Sequence, residues 1–216
     1  MFGIGPGIVG VLGTKIGSVL QQDRDMDLNA LFAELEQLGR ETDAKAIKKE
    51  DKYLNITRAT GAFLAVLVKA CAAKTVLEVG TSNGYSTIWI ASALPQEGHV
   101  TTLERMPNKT AQAIRNFERA GLSSRITVEQ ADAANYLRRS CEPFDMIFLD
   151  ADRSQYMDFA RQLLDRLRPG GLLVCDNAVS HASELEPFMR FVAETEQFTI
   201  ANVPVGKGEF LACKHA

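Results

Sequence analysis

Apolar and polar positions alternate in blocks along this chain, and each block has its own period. Leu28, Leu31, Phe32, Leu35 and Leu38 recur at helical spacing, which predicts an amphipathic helix over Asp27–Gly39 ended by the glycine. The following stretch, RETDAKAIKKEDKY at 40–53, is strongly charged and reads as a solvated helix or loop. Leu54 to Thr57 is short and extended. Thr57 or Thr60 is placed to cap a helix that runs through Phe63, Leu64, Leu67 and Val68 to Cys71.

From Thr75 onward, strand and helix patterns take turns. Thr75-Val-Leu-Glu-Val79 is an apolar, β-branched run and predicts a buried strand. It breaks at Gly80 and Gly84, and helical spacing resumes from Ser86 through Trp89 and Ile90. Further strands are predicted at Val100–Glu104, Ile126–Glu129, Phe144–Leu149 and Leu172–Cys175. Helices over Pro107–Ala120, Ala133–Arg138 and Gln155–Leu167 separate them, the last stopped by Arg168-Pro-Gly-Gly171. A helix over Leu185–Thr195 leads to Phe198–Val205 and Glu209–Cys213, which flank Gly206-Lys-Gly208 as a terminal hairpin. The alternation predicts an α/β fold with a doubly wound, mostly parallel sheet covered on both faces and an antiparallel hairpin at its end. Trp89, on the first helix after the glycine turn, is expected in the core.

Composition narrows the class. The chain has 216 residues, 46% of them hydrophobic, enough to bury one full core. A net charge of −3 argues against a broad nucleic-acid surface. The four cysteines are scattered, with no C-x-x-C pair, so neither a zinc site nor a disulfide framework is expected; reduced thiols of a cytoplasmic protein are. Residues 1–25 are set apart. The first twenty carry six glycines and a proline, with no basic region ahead of the apolar run, which fits an arm better than a membrane span or signal. Met26 is an alternative natural start. Residues 26–216 are expected to form a single domain, with the helices of 26–73 covering its site.

In such sheets ligands bind beyond the carboxyl ends of the strands. Polar residues gather there: Glu78, Glu104, Asp132, Asp150, Asp176 and Asn177. Glu78 lies inside the first strand's end, where an ionised carboxylate is costly without a donor; a positively charged ligand would supply one. Gly80 and Gly84 allow close backbone approach. Glu104, twenty residues after Gly84, is placed to accept both hydroxyls of a ribose. Asp132 either meets an adenine or caps the next helix. Asp150, Asp176 and Asn177 either cap loops or offer three oxygens to a hard cation such as Mg²⁺. The spacing G-x-x-x-G departs from the dinucleotide fingerprint G-x-G-x-x-G, which speaks against a dehydrogenase.

Glu78-x-Gly80-x-x-x-Gly84 resembles the first motif of class I S-adenosylmethionine-dependent methyltransferases. With Leu54-Asn-Ile56, Glu78 to Ser86, Glu104, Phe148 to Tyr156 and Asp176-Asn177, the chain resembles the cation-dependent O-methyltransferases that include the catechol and caffeoyl-CoA enzymes, from about Leu54 to the C-terminus. The resemblance implies a seven-stranded, Rossmann-like sheet and methyl transfer from S-adenosylmethionine to a vicinal diphenol. It implies Ile56 backbone and Ser86 at the methionine carboxylate, Gly80 beside the ligand and Glu78 near the amino group. It also implies Glu104 at the ribose, Asp132 and Ala133 at the adenine, and Asp150, Asp176 and Asn177 at the cation. Related proteins are often homodimers. The usual lysine base three residues after the first metal aspartate is replaced by Arg153. A guanidinium stays protonated, so Arg153 is expected to act electrostatically beside Asp150. Asp152 is a possible substitute base, and His181 an ordinary loop residue. Two alternatives stay open: a tRNA hydroxyuridine methyltransferase using a basic patch of Lys45, Lys48, Lys49, Lys52 and Arg58, and a binding protein with lost catalysis.

Overall fold

The computed structural model describes residues 28–140 and 142–216; the expected N-terminal arm, the alternative start at Met26 and Cys141 lie outside them. Seven strands form one sheet: β1 (Thr75–Val79), β2 (His99–Glu104), β3 (Ile126–Gln130), β4 (Phe144–Leu149), β5 (Leu167–Cys175), β6 (Phe198–Val203) and β7 (Glu209–Lys214). Their order is β3-β2-β1-β4-β5-β7-β6. The first five pair in parallel, and β7 runs antiparallel to both β5 and β6, as the terminal hairpin requires. The order reverses between β1 and β4, where a crevice opens in a doubly wound sheet.

Helix α1 spans residues 28–45, followed by α2 (Arg58–Ala70), α3 (Tyr85–Ala93), α4 (Pro107–Arg119), α5 (Ala133–Arg139), α6 (Tyr156–Asp165) and α7 (Ala182–Glu194). Alternation along each strand sends side chains to two cores. Val76, Val100, Met146 and Val174 meet α1 to α4 on one face. Leu77, Leu103, Ile147 and Leu173 meet α5 to α7 on the other. Trp89 is partly buried and packs against the first of these cores, stacked on Phe32 with ring centroids 4.1 Å apart.

Two boundaries differ most from expectation. Helix α1 continues past Gly39, because that glycine answers a packing need rather than a stop: a Cβ there would stand 2.7 Å from Asn55 Nδ2, and the Asn55 amide donates to Leu35 O at 3.1 Å. The charged stretch after it is partly this helix and then a 3₁₀ turn, Lys49–Asp51. Strand β5 begins at Leu167, not Leu172. Leu167 opposes Phe144 and Leu172 opposes Met146, so Arg168-Pro-Gly-Gly171 bulges out of a strand that resumes beyond it.

Register brings the site together. Val79 lies opposite Leu103 and Leu149, and Leu149 lies opposite Cys175. Gly80, Glu104, Asp150 and Asp176 therefore leave the sheet side by side.

Candidate active site

Beyond these strand ends lies a cavity of about 660 Å³, within the usual range for small-molecule sites. Its walls include Ile56, Gly80, Ser86, Glu104, Asp132, Ala133, Asp150, Arg153 and Asn177. Glu78 and Asp176 stand behind the wall. The cover comes from residues 47–56, whose Tyr53 carbonyl accepts the Ser82 hydroxyl at 2.7 Å. Three of the non-glycine residues with positive φ, Leu54, Ser82 and Asn177, line this cavity, and such conformations concentrate at functional sites.

The glycine turn is shaped by the chain itself. A Cβ on Gly80 would lie 2.1 Å from the Asp150 carbonyl oxygen, and one on Gly84 would lie 2.5 Å from Phe117 Cε1. The turn is tied to β2: Gly80 N–H donates to Leu103 O at 3.0 Å, and Ser82 N–H donates to Glu104 Oε2 at 2.9 Å. Glu104 Oε1 accepts the Met106 N–H at 2.9 Å, which fixes the carboxylate while leaving further lone pairs for a ligand.

Glu78 finds its donors inside the protein. Ser86 Oγ donates to Oε1 and Thr102 Oγ1 to Oε2, each at 2.6 Å, and Thr87 Oγ1 also donates to Oε2. Burial outweighs these bonds and pushes the carboxyl up to about 7. An acid whose pKa rises on folding stabilises the protein below its unfolded value, and that contribution is lost as pH climbs through the folded value. Between pH 4.5 and 7, Glu78 should thus lower stability by about 1.4 kcal/mol per pH unit. Glu78→Gln should flatten that slope in urea titrations at pH 5.5 and 7.5; equal slopes in both proteins would show that Glu78 does not titrate there.

Asp132 caps α5, accepting the Asn135 N–H at 3.1 Å, and also lines the cavity. Thr57 caps α2, accepting the Thr60 N–H at 3.0 Å.

At the ends of β4 and β5, Asn177 Nδ2 donates to Asp150 Oδ1 at 3.1 Å and to Asp176 Oδ2 at 3.0 Å, and its N–H donates to Asp176 Oδ1 at 2.7 Å. Burial and the neighbouring Asp176 push Asp150 up to about 7; burial raises Asp176. Among the described residues no group of three or more His, Cys, Asp or Glu is arranged to hold a metal; the cluster supplies two carboxylates and an amide. Glu209, a residue the sequence pattern concealed within a strand, is buried behind Asp176. Burial and Asp176 push it up to about 9.

Arg153 Nε donates to Glu184 Oε2 at 2.9 Å, with the arginine side chain nearly buried and the glutamate half exposed. Asp152 is turned aside: it accepts Ser154 Oγ at 2.8 Å, and the Ser154 bonds hold its carboxyl below the usual range, which makes it a weak base. His181 lines the cavity at the start of α7, beside Ser180 Oγ at 2.9 Å. The basic side chains expected as a patch are interleaved with acids: Lys48 pairs with Glu50 at 3.6 Å and Arg58 with Glu36 at 2.9 Å.

Cys71, Cys175 and Cys213 are free thiols. No helix among the described residues is long and apolar enough to cross a membrane.

A sheet of this order, with a glycine turn facing a strand-end acid, defines a class I methyltransferase architecture. The O-methyltransferase family model matches residues 28–215, and the chain belongs to that family, whose members are S-adenosylmethionine-dependent. It is 41% identical over 137 residues to a catechol O-methyltransferase of Niastella koreensis, a match spanning 62% of either chain. It is 28% identical over 172 residues to caffeoyl-CoA O-methyltransferase 2 of Petunia hybrida, covering 68% of this chain and 71% of that one. Among solved structures, the O-methyltransferase from Bacillus cereus in complex with SAH superposes with a TM-score of 0.75 at 28% identity, over 86% of this chain and 90% of that one.

Proposed function

We propose that this enzyme moves a methyl group from S-adenosylmethionine to one hydroxyl of a catechol-like vicinal diphenol, with a divalent cation, Mg²⁺, held by Asp150, Asp176 and Asn177. The carrying observation is the pair of buried carboxylates at the ends of β4 and β5, each raised above its ordinary range and bridged by one polarised amide. Two such charges are costly together without a counter-charge, and hard oxygen donors suit Mg²⁺. The names of the Niastella and Petunia relatives support a phenolic acceptor.

The lining of the cavity wall supports these places for the cofactor. Ile56 backbone and Ser86 hold the methionine carboxylate near the start of α3, and Gly80 borders it. Glu104 accepts the ribose hydroxyls, and Asp132 with Ala133 borders the adenine. Glu78, behind the wall, acts by orienting the Ser86 hydroxyl that donates to it. Asp150, Asp176 and Asn177 would hold the cation, which would supply the Lewis acidity that makes an acceptor hydroxyl easier to ionise. The chain's own contribution is alignment: the glycine turn and the strand ends hold donor and acceptor in line. Arg153, tethered by Glu184, supplies fixed positive charge beside Asp150. The acids interleaved with the basic side chains of Lys48 and Arg58 favour a small phenol over tRNA.

The test is methyl transfer from labelled S-adenosylmethionine to a panel of vicinal diphenols, with Mg²⁺ and with excess chelator. Transfer with Mg²⁺ that vanishes with chelator is the expected outcome. Transfer indifferent to chelator sinks the cation, and cofactor binding without transfer to any diphenol sinks the acceptor.

A further inference from the structure

The geometry points to Lys207 as the group that takes the proton from the acceptor's hydroxyl, which makes it a catalytic residue of the methyl transfer proposed above, on which it rests. Lys207 lines the cavity between two glycines of the β6–β7 turn. That turn is held rigidly. The Lys207 carbonyl accepts the N–H groups of Val179 at 3.1 Å and Ser180 at 3.0 Å, just after the Asp176–Asn177 pair. Gly206 and Gly208 have φ of 58° and 94°. A Cβ on the first would stand 2.1 Å from Thr60 Oγ1, and on the second 2.3 Å from Val179 Cγ2. Neither flank of the lysine can carry a side chain, so the backbone that aims it is packed on both sides.

Other candidates are engaged. Arg153 is paired with Glu184, and a guanidinium accepts no proton. Asp152 caps its own turn. Asp150 and Asp176 bind Asn177. His181, at the start of α7, lies in the electrostatic field of Glu184. Lys109 is turned to the cofactor end, donating to Lys52 O at 2.7 Å. The Lys207 ammonium makes no hydrogen bond or ion pair with the described residues, yet its charge reaches both Asp150 and Asp176. Its charge acts on Asp150 and Asp176 at the strand ends, and Arg153 on the loop after β4 and His181 at the start of α7 line the same cavity. A lysine amine in its neutral form accepts a proton and is a competent general base.

The step balances without a further reactant. The acceptor O–H bond breaks and its proton goes to the free pair on Lys207 Nζ. The oxygen's pair forms the new bond to the methyl carbon, and the methyl–sulfur pair stays on sulfur.

The experiment compares wild type, Lys207→Met, Lys207→Arg and Lys207→Ala, with Mg²⁺, labelled S-adenosylmethionine and catechol. Cofactor affinity, read by calorimetry, should be unchanged in all four. Lys207→Met should lose about 10²–10³-fold in kcat. Lys207→Arg, which keeps the charge, should be no faster. Added methylamine should restore rate to Lys207→Ala in proportion to its neutral form. A Lys207→Arg enzyme near the wild-type rate, or a Lys207→Ala enzyme that amines do not rescue, overturns the proposal. So does unaltered turnover in Lys207→Met. A wild type that methylates no diphenol overturns the acceptor assignment as well, which separates the two failures.

Discussion

Asp150→Asn is expected to lower kcat by about 10³-fold, roughly 4 kcal/mol of barrier, while leaving the metal-free protein as stable as before or more stable. The substitution keeps the volume of the side chain and an oxygen able to accept from Asn177 Nδ2, which lies 3.1 Å from Asp150 Oδ1. What it removes is one of two buried negative charges. The pKa of Asp150 stands at about 7, so its stabilising contribution to the apoprotein is present below its ordinary value and lost as pH rises through 7. An amide has no such loss, and the variant should gain about 1–3 kcal/mol over wild type in urea denaturation at pH 8 with chelator. Mg²⁺ should then raise the melting temperature of wild type and not of the variant. Two buried carboxylates this close are costly without a counter-charge, and this pair of measurements reads both sides of that trade. Full Mg²⁺-stimulated turnover in Asp150→Asn would remove Asp150 from the cation site.

The second large effect is on folding. Gly80→Ala should cost about 3–5 kcal/mol and lower the melting temperature by about 10 °C. Gly80 has φ of 109°, where a side chain is strained, and its added Cβ would overlap the Asp150 carbonyl oxygen at 2.1 Å. The backbone cannot swing away. Gly80 N–H is bonded to Leu103 O at 3.0 Å, and Asp150 N–H to Val79 O at 3.0 Å. Gly121→Ala is the matched comparison: its φ is 65°, but nothing lies within 4 Å, so about 1 kcal/mol is expected. Equal losses in the two variants would show that dihedral strain, not the contact with Asp150, sets the requirement for glycine.

Hydrophobic period made most of this fold legible before any coordinates. Strands were readable because β-branched runs such as Thr75–Val79 have no competing helical spacing, and helices because residues such as Phe63, Leu64, Leu67 and Val68 share one face. Where the reading stopped short, a tertiary contact overrode local signals. Gly39 looked like a helix end, but α1 continues because Asn55 packs where its side chain would be. Arg168 to Gly171 looked like a loop, but strand pairing to β4 resumes around it.

The site divides the same way. The sequence by itself determined which residues end strands, and hence that Glu104, Asp150, Asp176 and Asn177 face one edge, because a parallel sheet fixes the direction of its strand ends. It also determined the acid–glycine motif and the arginine at 153. Only the tertiary structure decided that Glu78 lies behind the wall, held by three hydroxyls from β2 and α3. It alone decided that Gly80 is required by Asp150, and that Lys207, 54 residues beyond Arg153 in the chain, stands in the electrostatic field of the same aspartates. The physical reason is range. Period and turn chemistry act over a few residues, whereas desolvation, close packing and charge act between groups that meet only when β7 closes against β5.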